Sequence, residues 1–342
     1  MAYSGYMISS IVSTNERRSN MAKYNICLDI GGTKVLGAIF NSKGEIVYRI
    51  KKKTKAGGDD SQNIENTIIQ LVEELLSEYK ITIKDVSAIA AGAPGVINIE
   101  KGIVLFSPNL PWRNYEIKKA IEAKFSVPFF IGNDVNVGVY GEWRHGAAKG
   151  LSQVVGLFVG TGMGAGLILD GKLFTGHDDK GAECGHMILE PEGPKCNCGQ
   201  RGCLEAFSSK QGMADYIRTQ VSRGRKTSMA KAVEKGIFKS KALKSAYEEG
   251  DEVAIEAVDR ACHYLAIGIG SLINTFSPQM VVLGGGVIEA MGNVFLEKIL
   301  REVDRYCMPS IRDTVSIKAA ALGDDSILYG ALAMIEDLGK KD

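Results

Sequence analysis

The sequence predicts an α/β fold made of a duplicated unit with a cleft between the copies, and three observations carry that prediction. An apolar run at residues 24–29 meets the turn Gly31-Gly32-Thr33 and is followed by a second apolar run at 35–40. Residues 154–159 meet Gly160-Thr161-Gly162-Met163-Gly164 in the same way, followed by the run 167–169 and the turn Asp170-Gly171. Later in each half a buried strand opens on a bare backbone loop. These are 86–91 on Gly92-Ala93-Pro94-Gly95, and 280–283 on Gly284-Gly285-Gly286. The same pieces in the same order, in a chain of 342 residues that is 45% hydrophobic, imply two domains with a sizeable core.

Taken in order, residues 1–22 are rich in Ser and Asn, carry Arg17-Arg18 and lack an apolar export segment, so they read as a disordered tail. Asn41-Ser42-Lys43-Gly44 is a turn before a third strand at 46–50, which makes the opening an antiparallel meander. A Walker or dinucleotide loop would pass from strand to helix instead. After a linker at 57–61, Ile64, Ile68, Leu71, Val72, Leu75 and Tyr79 recur at helical spacing. Residues 117–125 predict a helix, and 127–131 a strand ending in the turn-like Gly132-Asn133-Asp134. The Lys/Ser-rich stretch 222–250 reads as a helical insertion of little catalytic interest. A long helix at 251–277 is stopped by Pro278, with His263 a packed or surface side chain. Gly166 to Lys172 begins like a Walker loop, but Leu173 stands where a magnesium-binding hydroxyl is needed.

Net charge of +1, without an extended basic run, argues against nucleic acid as a partner. The longest apolar run, 154–169, is broken by glycines and is no membrane span. Seven cysteines, three of them clustered, fit a reducing cytoplasm and a metal rather than disulfides. Cys196, Cys198 and Cys203 follow His186 in the spacing H-x9-C-x-C-x4-C, a set of three sulfurs and one imidazole suited to a closed structural zinc site. Glu183 and Glu205 flank the cluster, so the metal would also fix where these carboxylates point.

The glycine/threonine turns offer unobstructed N–H groups and a hydroxyl to phosphate oxygens, one turn from each side of the cleft. Asp29, just before the first turn, is placed to hold hydrated magnesium. Phosphoryl transfer needs a base for the acceptor hydroxyl, and Asp134 is the candidate. Asn109, Asn133, Asp134, Glu183, His186 and Glu205 together would suit a polyhydroxyl substrate.

In order and spacing, these motifs resemble those of the ROK group of sugar kinases and regulators, within the actin–hexokinase superfamily. They are Leu28-Asp29-Ile30-Gly31-Gly32-Thr33-Lys34, Ala91-Gly92-Ala93-Pro94-Gly95, Pro108-Asn109-Leu110 and Gly132-Asn133-Asp134-Val135-Asn136. The glycine turn at 160–164, the stretch 181–186, the cysteine knuckle ending in Leu204-Glu205, and Leu283-Gly284-Gly285-Gly286 complete the set. The resemblance implies a two-domain, ribonuclease H-like fold. A small domain would comprise 23–137 with the C-terminal helix in 326–342, and a large domain 138–325 would carry the zinc loop. It implies Asp134 as catalytic base and a sugar pocket of Gly95, Asn109, Asn133, Asp134, Glu183, His186 and Glu205. Zinc would sit on His186, Cys196, Cys198 and Cys203. Mg-ATP would lie on Asp29, Gly31, Gly32, Thr33, Lys34, Thr161, Gly162, Gly284, Gly285 and Gly286, and the protein would be a homodimer or homotetramer. Within the group the chain looks most like the ATP-dependent glucokinases, through Asn109-Leu110-Pro111-Trp112 and Gly141-Glu142-Trp143. Cys184 departs from the pattern, where an aliphatic residue is usual. The leading expectation is phosphorylation of the 6-hydroxyl of glucose. A kinase of fructose, mannose or N-acetylmannosamine, a sugar-sensing regulator without turnover, and a zinc-stabilised binding protein are the alternatives. The regulator is disfavoured because some twenty residues ahead of the kinase region cannot hold a helix-turn-helix.

Overall fold

The computed structural model describes residues 23–54 and 61–339. The expected tail at 1–22 and most of the expected linker at 57–61 lie outside the described residues. Strands β1 (Tyr24–Ile30), β2 (Lys34–Asn41) and β3 (Ile46–Lys53) pair antiparallel as a meander. β3 is half exposed and ends in Lys51, Lys52 and Lys53, charges that discourage pairing at a sheet edge. Helix α1 (Ser61–Glu78) covers one face of this sheet with Ile64, Ile68, Leu71, Val72 and Leu75. β4 (Val86–Ala93) runs parallel to β1 and is buried almost throughout, as an apolar central strand must be. A small antiparallel sheet follows, β5 (Val96–Asn98), β6 (Ile103–Phe106) and β7 (Arg113–Tyr115), before α2 (Ile117–Phe125) and β8 (Phe129–Asn133). That small sheet was not anticipated, because strands this short carry almost no periodic signal.

Helix α3 (Asp134–Arg144) leads into the second half. There β9 (Val154–Val159), β10 (Met163–Leu169) and β11 (Lys172–Phe174) form another meander. Four helices follow: α4 (Leu204–Ser208), α5 (Lys210–Ser222), α6 (Ala230–Glu234) and α7 (Ser240–Glu248). The long α8 (Glu252–Phe276) starts at Asp251, whose carboxylate accepts from the N–H groups of Val253 and Ala254. It ends at Ser277 in the left-handed conformation, ahead of Pro278. β12 (Met280–Gly284), α9 (Gly286–Glu302), α10 (Pro309–Arg312), β13 (Ser316–Ala319) and α11 (Ser326–Leu338) complete the chain.

The sheet orders are β3-β2-β1-β4-β8 and β11-β10-β9-β12-β13, so the two halves repeat one topology. This is the duplicated ribonuclease H-like arrangement of the actin/hexokinase fold, as expected. The chain returns at its end to the first half: Leu328, Ala331 and Leu332 of α11 pack on Cys27, Ala38, Phe40, Ala88 and Ala90. α11 also crosses α3 with the backbones almost touching. A Cβ on Gly330 would fall 1.7 Å from the Val137 carbonyl oxygen, and one on Gly141 2.2 Å from that of Ser326. No side chain fits between these helices.

Beside that crossing lies Glu142, fully buried. Its carboxylate accepts from the N–H groups of Ala147 (2.9 Å), Ala321 (2.9 Å) and Leu322 (2.8 Å), and from the Ser326 hydroxyl (2.9 Å). Replacing it by leucine strands these donors, each worth about 1–3 kcal/mol when buried unpaired. Glu142→Leu is therefore expected to lose about 3 kcal/mol or more in urea unfolding, and Glu142→Gln much less; equal stability of wild type and Glu142→Leu would show that the carboxylate is not a structural anchor.

Candidate active site

Three glycine segments are candidates for holding phosphate, each fixed by different means. In the β1–β2 hairpin the Gly31 N–H donates to the Lys34 carbonyl at 2.9 Å, and Thr54 braces the turn through its N–H to the Thr33 carbonyl at 3.0 Å. A Cβ on Gly32 would sit 2.6 Å from the Asn109 carbonyl oxygen, so this turn lies flush on the loop before β7. In the β9–β10 hairpin the Gly160 N–H donates to the Gly162 carbonyl at 2.9 Å. The Gly160 and Thr161 carbonyls accept from Lys210 and Gln211 at the start of α5, at 3.0 and 3.1 Å. The second turn is shorter than anticipated, because Met163 and Gly164 already belong to β10. The third segment passes from β12 through Gly285, at φ +85°, into α9. An added Cβ on Gly286 would meet nothing within 4 Å, so the first turn of α9 opens into free space. A helix start of this kind presents unpaired N–H groups to an anion.

At the end of β8, Asn133 and Asp134 open helix α3 rather than a turn. Asn133 is the N-cap of α3: its Oδ1 accepts from Val135 (3.0 Å) and Asn136 (3.1 Å). Its Nδ2 donates to the Gly95 carbonyl at 3.0 Å, tying the helix start to the β4–β5 loop. Gly95 has φ +118°, and a Cβ there would lie 2.2 Å from the Phe106 carbonyl oxygen. Asp134 is the first residue of the helix. Burial pushes its carboxyl up to about 6, nearby Glu183 adds to the rise, and hydrogen bonds from Val135 N–H and its own N–H oppose it. Asp29 is also pushed up to about 6, by burial and then by Asp134, with Lys34 opposing. Two carboxylates thus share a poorly solvated place at the junction of the halves.

Glu183 reaches His186, whose Nε2 lies 3.9 Å from its Oε2, while Nδ1 of the same ring is 3.7 Å from Cys196 Sγ. Cys198 Sγ and Cys203 Sγ are 3.7 Å apart, and all four ligand atoms of His186, Cys196, Cys198 and Cys203 lie within 4.8 Å of one another. A tetrahedral zinc with Zn–S near 2.3 Å requires sulfurs roughly 3.8 Å apart, so the donor set fits that ion in type, number and spacing. Gly202, at φ +72°, makes the fold possible: a Cβ there would lie 1.6 Å from the Glu190 carbonyl oxygen. Glu205 joins this knuckle to the second turn, accepting from Met163 N–H at 2.8 Å and from Cys196 Sγ at 3.3 Å. A Cβ on Gly162 would meet its Oε2 at 2.5 Å. Asn109 is the outlier among the expected sugar ligands: it is exposed, and it meets the first turn chiefly through its backbone, against Gly32.

Residues 25–338 match the ROK family. The chain belongs to that family. A glucokinase of Thermotoga maritima is 33% identical over 91% of this chain and 97% of its own length. A xylose repressor of Caldicellulosiruptor bescii is 31% identical over 91% of this chain and 77% of its own. The crystal structure of a ROK family glucokinase from Streptomyces griseus, in complex with glucose and AMPPNP, superposes with a TM-score of 0.76 at 28% identity. It covers 90% of this chain and 97% of that one.

Two features of this ROK chain escaped the sequence reading. The start of α3 was legible in principle, since Asn followed by Asp is a standard cap and first-turn pair. A cavity of about 450 Å³ beside the first turns of α9 was not. Glu289 and Asn293 line it together with Lys244 and Tyr247 of α7, which belongs to the stretch expected to carry little chemistry. Glu289 is pushed up to about 7 by burial and by the Asp324 carboxyl, with Lys34 opposing. The four-ligand knuckle makes its own prediction. Because metal binding and loop folding are linked, Cys198→Ser should lower zinc content by elemental analysis and the melting temperature together. A full complement of zinc in that variant would remove Cys198 from the ligand set.

Proposed function

We propose that this chain is an ATP-dependent hexose kinase that phosphorylates the 6-hydroxyl of glucose, with Asp134 as general base. The observation that carries the reading is Asp134 itself. It is a carboxylate held at a capped helix start, with its proton affinity raised by burial and by nearby Glu183. A base near 6 is ionised at neutral pH yet proton-hungry enough to accept from a hydroxyl as the phosphoryl group arrives. The sugar would lie on Gly95, Asn109, Asn133, Glu183, His186 and Glu205, and closing the cleft would exclude water from the transferring group.

The phosphates would bind the turns at Gly31, Gly32, Thr33 and at Thr161, Gly162, with Lys34 and the Gly284-Gly285-Gly286 start of α9 supplying positive potential. The 450 Å³ cavity beside α9 is of a size to take the nucleoside. Asp29 would hold the magnesium that neutralises charge on the transferring phosphates. The desolvated Asp29–Asp134 pair, two like charges close together, suits a cation of this kind. His186, Cys196, Cys198 and Cys203 would hold a structural zinc, whose chemistry is to stiffen the loop, since four protein ligands leave no open position. The small domain is taken as 23–137 with 326–342 and the large one as 138–325. Cytoplasmic location and a homodimer or homotetramer belong to the same reading.

Other hexoses remain alternatives within this class, because the same hydrogen-bonding residues can admit epimers. The repressor relative motivates a second reading, a sugar sensor without turnover. The half-buried Asp29 and Asp134 favour the kinase, since a sensor has no use for the repulsion between them. ADP release with Mg-ATP should be fast with glucose and slow with N-acetylmannosamine. Preference for another sugar would change the substrate, and silence on all would favour the sensor. Asp134→Asn should keep sugar binding and lose about 10²–10⁴-fold in kcat; near-normal turnover would remove Asp134 from the chemistry. Because the base must be ionised and its pKa is raised to about 6, kcat/KM should be flat above that pH. Below it the value should fall about tenfold per pH unit or more steeply. A profile flat down to the ordinary carboxylate range would contradict the assignment.

A further inference from the structure

A second cavity, of about 190 Å³, shares Asn133 with the proposed sugar contacts but otherwise has walls of its own. It sits where the edge strand of the first sheet, β8, approaches the edge strand of the second, β11, with α3 and α11 closing it. Ile99, Val137, Leu173, Met334 and Leu338 make most of its wall apolar. Asp134, Glu183, His186 and Glu205 are not among its lining residues. The segments on its two sides are tied where the Ile99 N–H donates to the Asp179 carboxylate at 3.1 Å.

Two polar side chains of the wall, Asn133 and Tyr140, are paired within the fold. Asn133 spends its amide on Val135, Asn136 and Gly95. The Tyr140 hydroxyl donates to Asp337. Asn136 is only 8% exposed, lines the cavity, and its Oδ1 has no partner among the described residues. Buried amides are almost always paired, so an orphan bordering an apolar void calls for a partner that the described residues do not supply. Size narrows the choice: an apolar protein cavity of about 150 Å³ holds a benzene molecule.

We propose that this cavity is a binding site for a small neutral molecule, largely apolar, that bears one hydroxyl and has the size of phenol or cyclohexanol. The apolar body fills the space between Ile99, Leu173 and Met334, and the hydroxyl pairs with the Asn136 amide. A hydroxyl suits this amide in either orientation, since it both donates and accepts. Walls from both sheets make the site sensitive to their relative placement.

The test is titration calorimetry on the full chain without sugar or nucleotide, which makes it independent of the kinase reading. Phenol should bind saturably, and benzene about tenfold more weakly because it leaves Asn136 unpaired. Asn136→Leu should erase that difference, and Leu173→Trp, which fills the void, should abolish both. Should Leu173→Trp misfold by circular dichroism, the Asn136→Leu comparison alone decides. Non-saturating heats, equal affinity for phenol and benzene in the wild type, or unchanged phenol binding in folded Leu173→Trp would each overturn the site. So would a crystal grown with phenol in which a water alone pairs with Asn136.

Discussion

The buried carboxylate of Glu142 is the interaction on which the junction of the halves depends. Helix α3 alone links the first sheet to the second along the chain, and α11 brings the chain back to the first. These helices cross with no side chain between Gly141 and Gly330, so their relative height is set by backbone contact. Backbone contact fixes distance but not rotation. The rotation is fixed by Glu142, whose bonds to Ala321, Leu322 and Ser326 pin the start of α11. A buried charge is tolerated there because its lone pairs are met by N–H and O–H donors.

That anchor has its counterpart at the other end of the same helix. Asn133 caps α3 and holds Gly95, so Asp134 is delivered by a helix fixed at both termini. Fixing is needed because the Asp134 environment is unfavourable. Desolvation and the nearby Glu183 work against ionisation, and left free the side chain would turn to solvent. The frame therefore offsets a local cost, a common relation between rigid scaffold and tuned site.

Much of the fold was legible because its signals are local. The meanders follow from apolar runs punctuated by Gly-Thr turns, α8 from its long apolar spacing between Asp251 and Pro278, and the knuckle from the closeness of Cys196, Cys198 and Cys203 to His186. What stayed hidden depends on partners far away in sequence. Glu142 looks like an ordinary surface glutamate until residues 321–326 are laid over it. Asn136 looks like a solvated turn residue until β11 and α11 enclose it. Tyr247 and Lys244 become interesting only once α9 is placed beside α7. Asn133-Asp134 was ambiguous in a different way, since Asn-Asp opens turns and helices alike, and the apolar positions after it had to arbitrate.

The duplication is symmetric in topology and asymmetric in how each copy holds its turn. Gly32 rests against the Asn109 backbone and Thr54 braces its neighbours, all within the first half. Gly162 rests instead against the carboxylate of Glu205, which also bonds Met163 N–H and stands two residues after Cys203. The second turn thus depends on a side chain whose own position is set by the cysteine knuckle. A side chain is a softer support than a backbone, with rotamers to lose, unless something stiffens the segment that carries it. In the proposed reading zinc stiffens that segment. Its loss would loosen the sugar-facing glutamate and the phosphate-facing turn together, although neither touches the metal.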